Sequence, residues 1–341
     1  MSRRAAACVF ACAGLAVAAL VAAPFLGAEP IAPVRAWSEY LRMPRENWSP
    51  DASILALRLP RVLLGFVCGA ALAVSGAAFQ TLLRNPLASP FTLGVSSAAA
   101  FGAFAASAVF GAGAAALGGQ GARLTALAFA LAETALVLAL ARRSTRSDGL
   151  ILAGVALNFL FGAGVVFLRH LASPFDLAAM ERWMLGALDV VGFASLLGLL
   201  PWLVAAAALL AFRAPALDQL AFDDELARTR GVPAAAVRSQ TVIAAAVLAA
   251  AVVATTGPIG FVGLLVPHAV RPFTGMRHAV LLPACALAGG ALLVAADTLA
   301  RSVEILGRGS ELPVGAVTAA LGAPLFIALL LHRGGERVRV D

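Results

Sequence analysis

The chain has 341 residues, of which 61% are hydrophobic and 13% charged, with a formal net charge of +7 and a mean hydropathy of +0.93. A soluble domain carries roughly 25% charged residues, and no soluble core of this size hides so much apolar side chain. The composition excludes a soluble globular fold and asks for lipid as the outer solvent, where roughly 20 apolar residues make one helical crossing.

Apolar runs parted by Arg, Pro or Gly clusters predict ten spans: 5–27, 60–82, 92–112, 122–141, 149–170, 193–212, 237–256, 258–271, 279–298 and 314–332. The first run resembles a signal peptide, with Arg3 and Arg4, an apolar core and then Ala22-Ala23-Pro24. Its apolar stretch exceeds the usual h-region of about 7–15 residues, so it reads as a retained span. The 258–271 run is short and reads as a partial or tilted span. All cations are Arg. With the N-terminus inside, the 25 arginines divide 15 inside and 10 outside, as the positive-inside rule asks. Ten spans then place both termini inside.

Three segments are too polar for lipid. Residues 28–59 read as an outer loop anchored by Trp37, Tyr40 and Trp48. Residues 172–192 read as a short outer helix lying at the surface. Residues 214–236 form the largest inner loop, in which Asp223 and Asp224 suit a helix N-terminus. A short helix is expected from about Glu225 to Arg230, stopping at Gly231 with Pro233 beyond. Such a knob suits docking into a soluble partner; a solvated loop is the competing reading.

Within the spans, Gly65, Gly69 and Gly76, then Gly94, Ala98 and Gly102, then Gly154, Asn158 and Gly162 recur at helix-packing spacing. Small residues let helices approach closely in lipid. Residues 69–84 and 289–301 resemble one another weakly and run in opposite predicted directions, as an inverted repeat would. The spans are nearly free of charge: Glu133 and Asp297 are the main acidic residues near apolar runs. An ion-coupled transporter needs an ionisable group at mid-membrane depth, and Glu133 is the one candidate. Neither the four cysteines nor the four histidines cluster into a metal site. No catalytic constellation stands out, and with no Lys there is no phosphate-binding P-loop. If ATP drives this protein, another chain binds it.

Six long motifs in order carry a resemblance: RLPRVLLGFVCGAALAVSGAAFQTLLRNPLASPFTLGVSSAAAFGA (58–103), LILAGVALN (150–158), RWMLGALD (182–189), GPIGFVGLLVPHAVR (257–271), LLPACALAGGALLVAADTLAR (281–301) and ELPVGAVTAALGAPLFIALLL (311–331). Over roughly residues 55–332 the chain resembles the FecCD-type permeases, the membrane subunits of type II ATP-driven importers for iron chelates, haem and cobalamin. The resemblance implies an all-α, single-domain permease over 1–341 that pairs with a second copy around a central path in the bacterial inner membrane. It implies two ATPase subunits below, carrying ATP and Mg, and a periplasmic binding protein above, with no cofactor or metal on this chain and no nucleic-acid partner. Carried over by motif, Glu225, Ala227, Arg228, Gly231 and Val232 are expected at the ATPase, and Arg58, Arg61 and Arg301 at the binding protein. The path is expected at Asn158 and Phe159 on the fifth span and Thr318 and Leu321 on the tenth, with an inner gate at Ser147 and Asp148. Asp148 departs from the small hydroxyl residue expected there. Asn85 and Pro86 are expected to shape a turn. The leading expectation is an iron–siderophore importer permease. Haem or cobalamin is the rival cargo, and an ion-coupled secondary transporter is the rival of another class.

Overall fold

A computed structural model describes residues 2–110, 120–143, 149–188, 191–222, 224–303 and 311–337. Among these the chain is helical, with thirteen α-helices and short 3₁₀ turns. Ten helices correspond to the ten predicted spans: α1 (Arg3–Ala22), α3 (Pro50–Leu82), α4 (Val95–Phe110), α5 (Gln120–Arg143), α6 (Gly149–Leu171), α8 (Ala194–Leu220), α10 (Ala234–Thr256), α11 (Val262–Thr274), α12 (His278–Ser302) and α13 (Val314–Arg337). Seven of them are long and apolar enough to cross a membrane alone. The other three are shorter as apolar helices. α11, with 13 residues, rises about 20 Å at 1.5 Å per residue and falls short of a bilayer core. The three remaining helices are α2 (Pro33–Arg42), α7 (Pro174–Met184) and α9 (Asp224–Thr229).

Two boundaries move. α3 begins at Pro50, ten residues before the predicted span, and carries Pro60 inside it. Its start is set by local chemistry: the Ser49 hydroxyl accepts the Ala52 N–H at 3.4 Å, Pro50 takes the first helical position and Asp51 the first turn. The 28–59 segment is therefore α2 followed by the first turns of α3 rather than a free loop. α8 continues through Arg213 and Pro215 to Leu220, so much of the predicted inner loop is the end of a helix. The surface helix expected in 172–192 is α7, capped by the Ser173 hydroxyl, which accepts the Asp176 N–H at 3.3 Å.

The bundle is built around α3, which is buried from Cys68 through Leu82 except at Ala70. It pairs with α12. The two run antiparallel, since Arg61 near the start of α3 meets Asp297 near the end of α12, and Thr81 meets His278 at the opposite end. Their crossing has no room for side chains. A Cβ on Gly69 would run into the carbonyl of Gly289, and one on Gly76 into the carbonyl of Gly263 on α11. The spacing read from sequence as small faces is thus the backbone contact that lets α3 sit between α11 and α12. The weakly similar segments 69–84 and 289–301 begin at this crossing, in opposite directions.

Candidate functional site: the two ends of the bundle

At the end carrying residues 214–236, the short helix forms as α9, one residue earlier than predicted at each boundary. Asp223 lies outside the described residues, and so does the side chain of Glu225, whose backbone is in α9. Gly231 ends the helix at φ +77, a conformation that favours glycine. The Gly231 N–H donates to the Arg228 carbonyl at 2.9 Å and the Val232 N–H to the Ala227 carbonyl at 3.0 Å. Leu217, Leu220, Ala227, Ala234 and Val237 close a small separate core, with Val232 packed against it. Ala227 is fully buried. That places it among the residues that shape the knob, not on its outer face as expected. Arg228, Arg230 and Gly231 are exposed. So is Phe222, 70% exposed, which sequence reasoning passed over as a loop apolar residue. An exposed aromatic beside two cations is what a docking face presents.

The turn after α3 sits beside this knob. Asn85 does shape it, its Oδ1 accepting the Leu87 N–H at 2.9 Å. Arg84 donates to the Leu220 carbonyl from Nη2 at 3.0 Å and from Nε at 3.3 Å.

At the opposite end, the three expected docking arginines have different fates. Arg61 grips Asp297 with two nitrogens, Nε at 3.0 Å and Nη2 at 2.9 Å from Oδ1, while Nη1 reaches Glu311 at 2.5 Å. Arg301 lies 3.3 Å from the other Asp297 oxygen, and its Nη2 donates to the Ala23 carbonyl at 2.7 Å. Arg301 is 4% exposed and offers no surface to a partner. Arg58 is half-buried and donates to the Glu29 carbonyl at 2.9 Å. Asp297, read from sequence as an acid at a span end, is the hub that joins α3 to α12. A carboxylate between two guanidinium groups satisfies burial that a lone charge would not tolerate.

The path residues also separate. Phe159 is 73% and Leu321 51% exposed, on α6 and α13. Thr318 is buried and donates to the Gly315 carbonyl at 3.0 Å. Asn158 turns toward α4, accepting the Ser97 hydroxyl at 2.7 Å. Ser147 and Asp148 lie outside the described residues. Glu133 is buried on α5, and a Cβ on Gly94 would stand 3.0 Å from its Oε1. Among the described residues no cluster of His, Cys, Asp or Glu is arranged to hold a metal.

The sequence profile of the FecCD transport family matches residues 15–332. This chain belongs to that family. Relatives include the uncharacterised ABC transporter permease protein YvrB of Bacillus subtilis, 38% identical over 288 residues, covering 83% of this chain and 80% of that protein. The vitamin B12 import system permease protein BtuC of Salmonella typhi is 41% identical over 278 residues, 81% of this chain and 82% of that protein. A solved structure described as an inward-facing conformation of a metal-chelate type ABC transporter superposes with a TM-score of 0.81 at 29% identity, covering 96% of this chain and 99% of that one. The FecCD chain is thus a multi-span ABC importer permease with the type II importer fold, a transport subunit rather than an enzyme. Family membership displaces the ion-coupled transporter, which had rested on Glu133.

Proposed function

We propose that two copies of this chain form the path of a bacterial inner-membrane importer for a metal chelate, with both termini cytoplasmic. The observation that carries the reading is the knob at 222–232: a compact helix with its own small core, presenting Phe222, Arg228 and Arg230 outward. We assign to it the docking of an ATPase subunit, which binds ATP and Mg. Glu225, in the same short helix, and the exposed Gly231 are assigned to this contact, and Ala227 and Val232 shape the knob from within. The other end receives a periplasmic binding protein. Arg58 is the arginine set for direct contact, and Arg61 and Arg301 hold the seat beneath it. Rim charges of this kind steer encounter and fix register.

Transport then works by alternating access. ATP closes the ATPase pair, the knobs move, and the two permeases tilt about their shared interface. The exposed apolar faces at Phe159 and Leu321 are assigned to that interface and path, with Asn158 and Thr318 as supports behind them and Ser147 and Asp148 at the inner gate. A mostly uncharged path suits a large chelate that is handed over rather than tightly held.

An iron–siderophore complex is the first candidate cargo. The relatives named for vitamin B12 import favour cobalamin as the second, and haem is the third. The test is ATP-dependent uptake by proteoliposomes holding the permease, its ATPase and its binding protein. A ferric siderophore, cobalamin and haem are offered in turn. Accumulation of one of them, abolished without ATP, is expected. Uptake that persists without ATP and collapses with an ion gradient would overturn the reading.

A further inference from the structure

Three consecutive residues just before the knob each grip a different part of the molecule. The Asp218 Oδ1 accepts the backbone N–H of His278 at 2.7 Å and lies 2.6 Å from its ring Nδ1. Gln219 Oε1 takes Nη1 of Arg230 from the knob itself. The Leu220 carbonyl takes the Arg84 guanidinium from the turn after α3. His278 is fully buried, and its second nitrogen, Nε2, stands 2.9 Å from the Thr81 hydroxyl on α3.

Two details argue that this is more than local tidiness. His278 is the first residue of α12, and the N-cap position is Arg277, which makes no side-chain cap. A Ser, Asp or Asn at 277 would cap the helix locally. Here the acceptor comes from α8 instead, 60 residues away in sequence. The start of α12 is therefore satisfied only while the end of α8 keeps its place. Arg84, moreover, holds φ +45, where a side chain costs on the order of 1–3 kcal/mol. Helices that end this way usually place glycine there. The position keeps a guanidinium that reaches Leu220.

We infer that the last turn of α8, residues 218–220, is the joint that carries displacement of the knob to α3 and α12 together, with Asp218 and His278 as positioning residues of the transport cycle. The inference rests on the reading of the knob as the ATPase dock. A carboxylate bridging a helix N-terminus and an imidazole is charge-assisted and short, so it transmits a shift instead of absorbing it. The buried ring passes that shift on to Thr81.

The test uses the whole importer: permease, ATPase and binding protein in proteoliposomes, with ATP hydrolysis read with and without binding protein. Asp218→Ala is expected to retain its ATPase subunits and basal hydrolysis. Its stimulation by binding protein is expected to fall by about fivefold or more, the low end of a coupling free energy. Asp218→Asn, which keeps the acceptor oxygen, is expected to recover most of it. His278→Asn keeps a donor toward Asp218 and loses the Thr81 contact; it is expected to assemble and lose stimulation, which keeps the inference testable if Asp218→Ala fails to accumulate. Full stimulation in either assembled variant, Asp218→Ala or His278→Asn, would overturn the joint. If the wild-type chain itself fails to hold ATPase subunits, the knob reading fails instead.

Discussion

The two ends of the α3–α12 pair are fastened by different chemistry. At the Arg58 end, Asp297 sits between Arg61 and Arg301, with side-chain exposures of 2%, 13% and 3%. At the knob end, the pair is joined through Thr81 and His278 to Asp218, whose side chain is 24% exposed. Separating the first cluster strands buried charges, and breaking such a pair costs about 3–5 kcal/mol. The second is a relay of hydrogen bonds, each contributing about 0.5–3 kcal/mol net. One end is a clamp held by buried charges and the other is held by hydrogen bonds, an asymmetry that fits the alternating access proposed above.

Asp297→Ala should break the comparison most severely. It leaves the buried Arg301 without its counter-charge and Arg61 with only the exposed Glu311, and unfolding in detergent should show a loss of about 3–5 kcal/mol. Gly76→Leu attacks the middle of α3 rather than either end. Its side chain meets the Gly263 backbone, which cannot move like a flexible side chain, so a loss of about 1–3 kcal/mol or more is expected by the same measurement. Asp218→Ala should cost about 1.5–3 kcal/mol, the range for hydrogen bonds to a charged group, and therefore less than Asp297→Ala. Equal losses at the two ends would erase the distinction between clamp and relay.

The smallest effect is expected in α2, which packs against α3. Hydrogen bonds from Ser49, and next from Arg35, hold the Glu39 carboxyl down at about 2 against an ordinary 4.5. A depressed carboxyl contributes stability that is present above its unfolded value and lost as pH falls through the folded one. The fluorescence of Trp37 and Trp48, which flank Tyr40 in an aromatic stack, should therefore change between pH 4.5 and about 2. Glu39→Gln should remove that change; a transition that survives the substitution would locate the titrating group elsewhere.

Much of this was legible in the sequence. The ten apolar runs, the surface helix after Ser173 and the knob ended by Gly231 all carry local signals, and each forms at its predicted place, with the start of α3 and the end of α8 as the large shifts in boundary. The start of α3 was legible too, in Ser49-Pro50-Asp51, but Arg58, Pro60 and Arg61 resemble a loop boundary and masked it. The end of α8 was hidden in the same way by Arg213 and Pro215. The clamp and the relay were not legible. Arg61 and Asp297 are 236 residues apart and Asp218 and His278 are 60 apart, and no local pattern pairs them. The three arginines looked equivalent along the chain. Packing alone separates Arg301, sealed against Ala23, from the half-buried Arg58.

The central claim is that the 222–232 knob is where this permease meets its ATPase, and co-purification tests it most directly. The wild-type chain is expected to retain the ATPase subunit through detergent extraction. Arg228→Glu, on an exposed position outside the small core, is expected to lose it while unfolding at the wild-type temperature. Full retention of the ATPase by Arg228→Glu combined with Phe222→Asp would contradict the account.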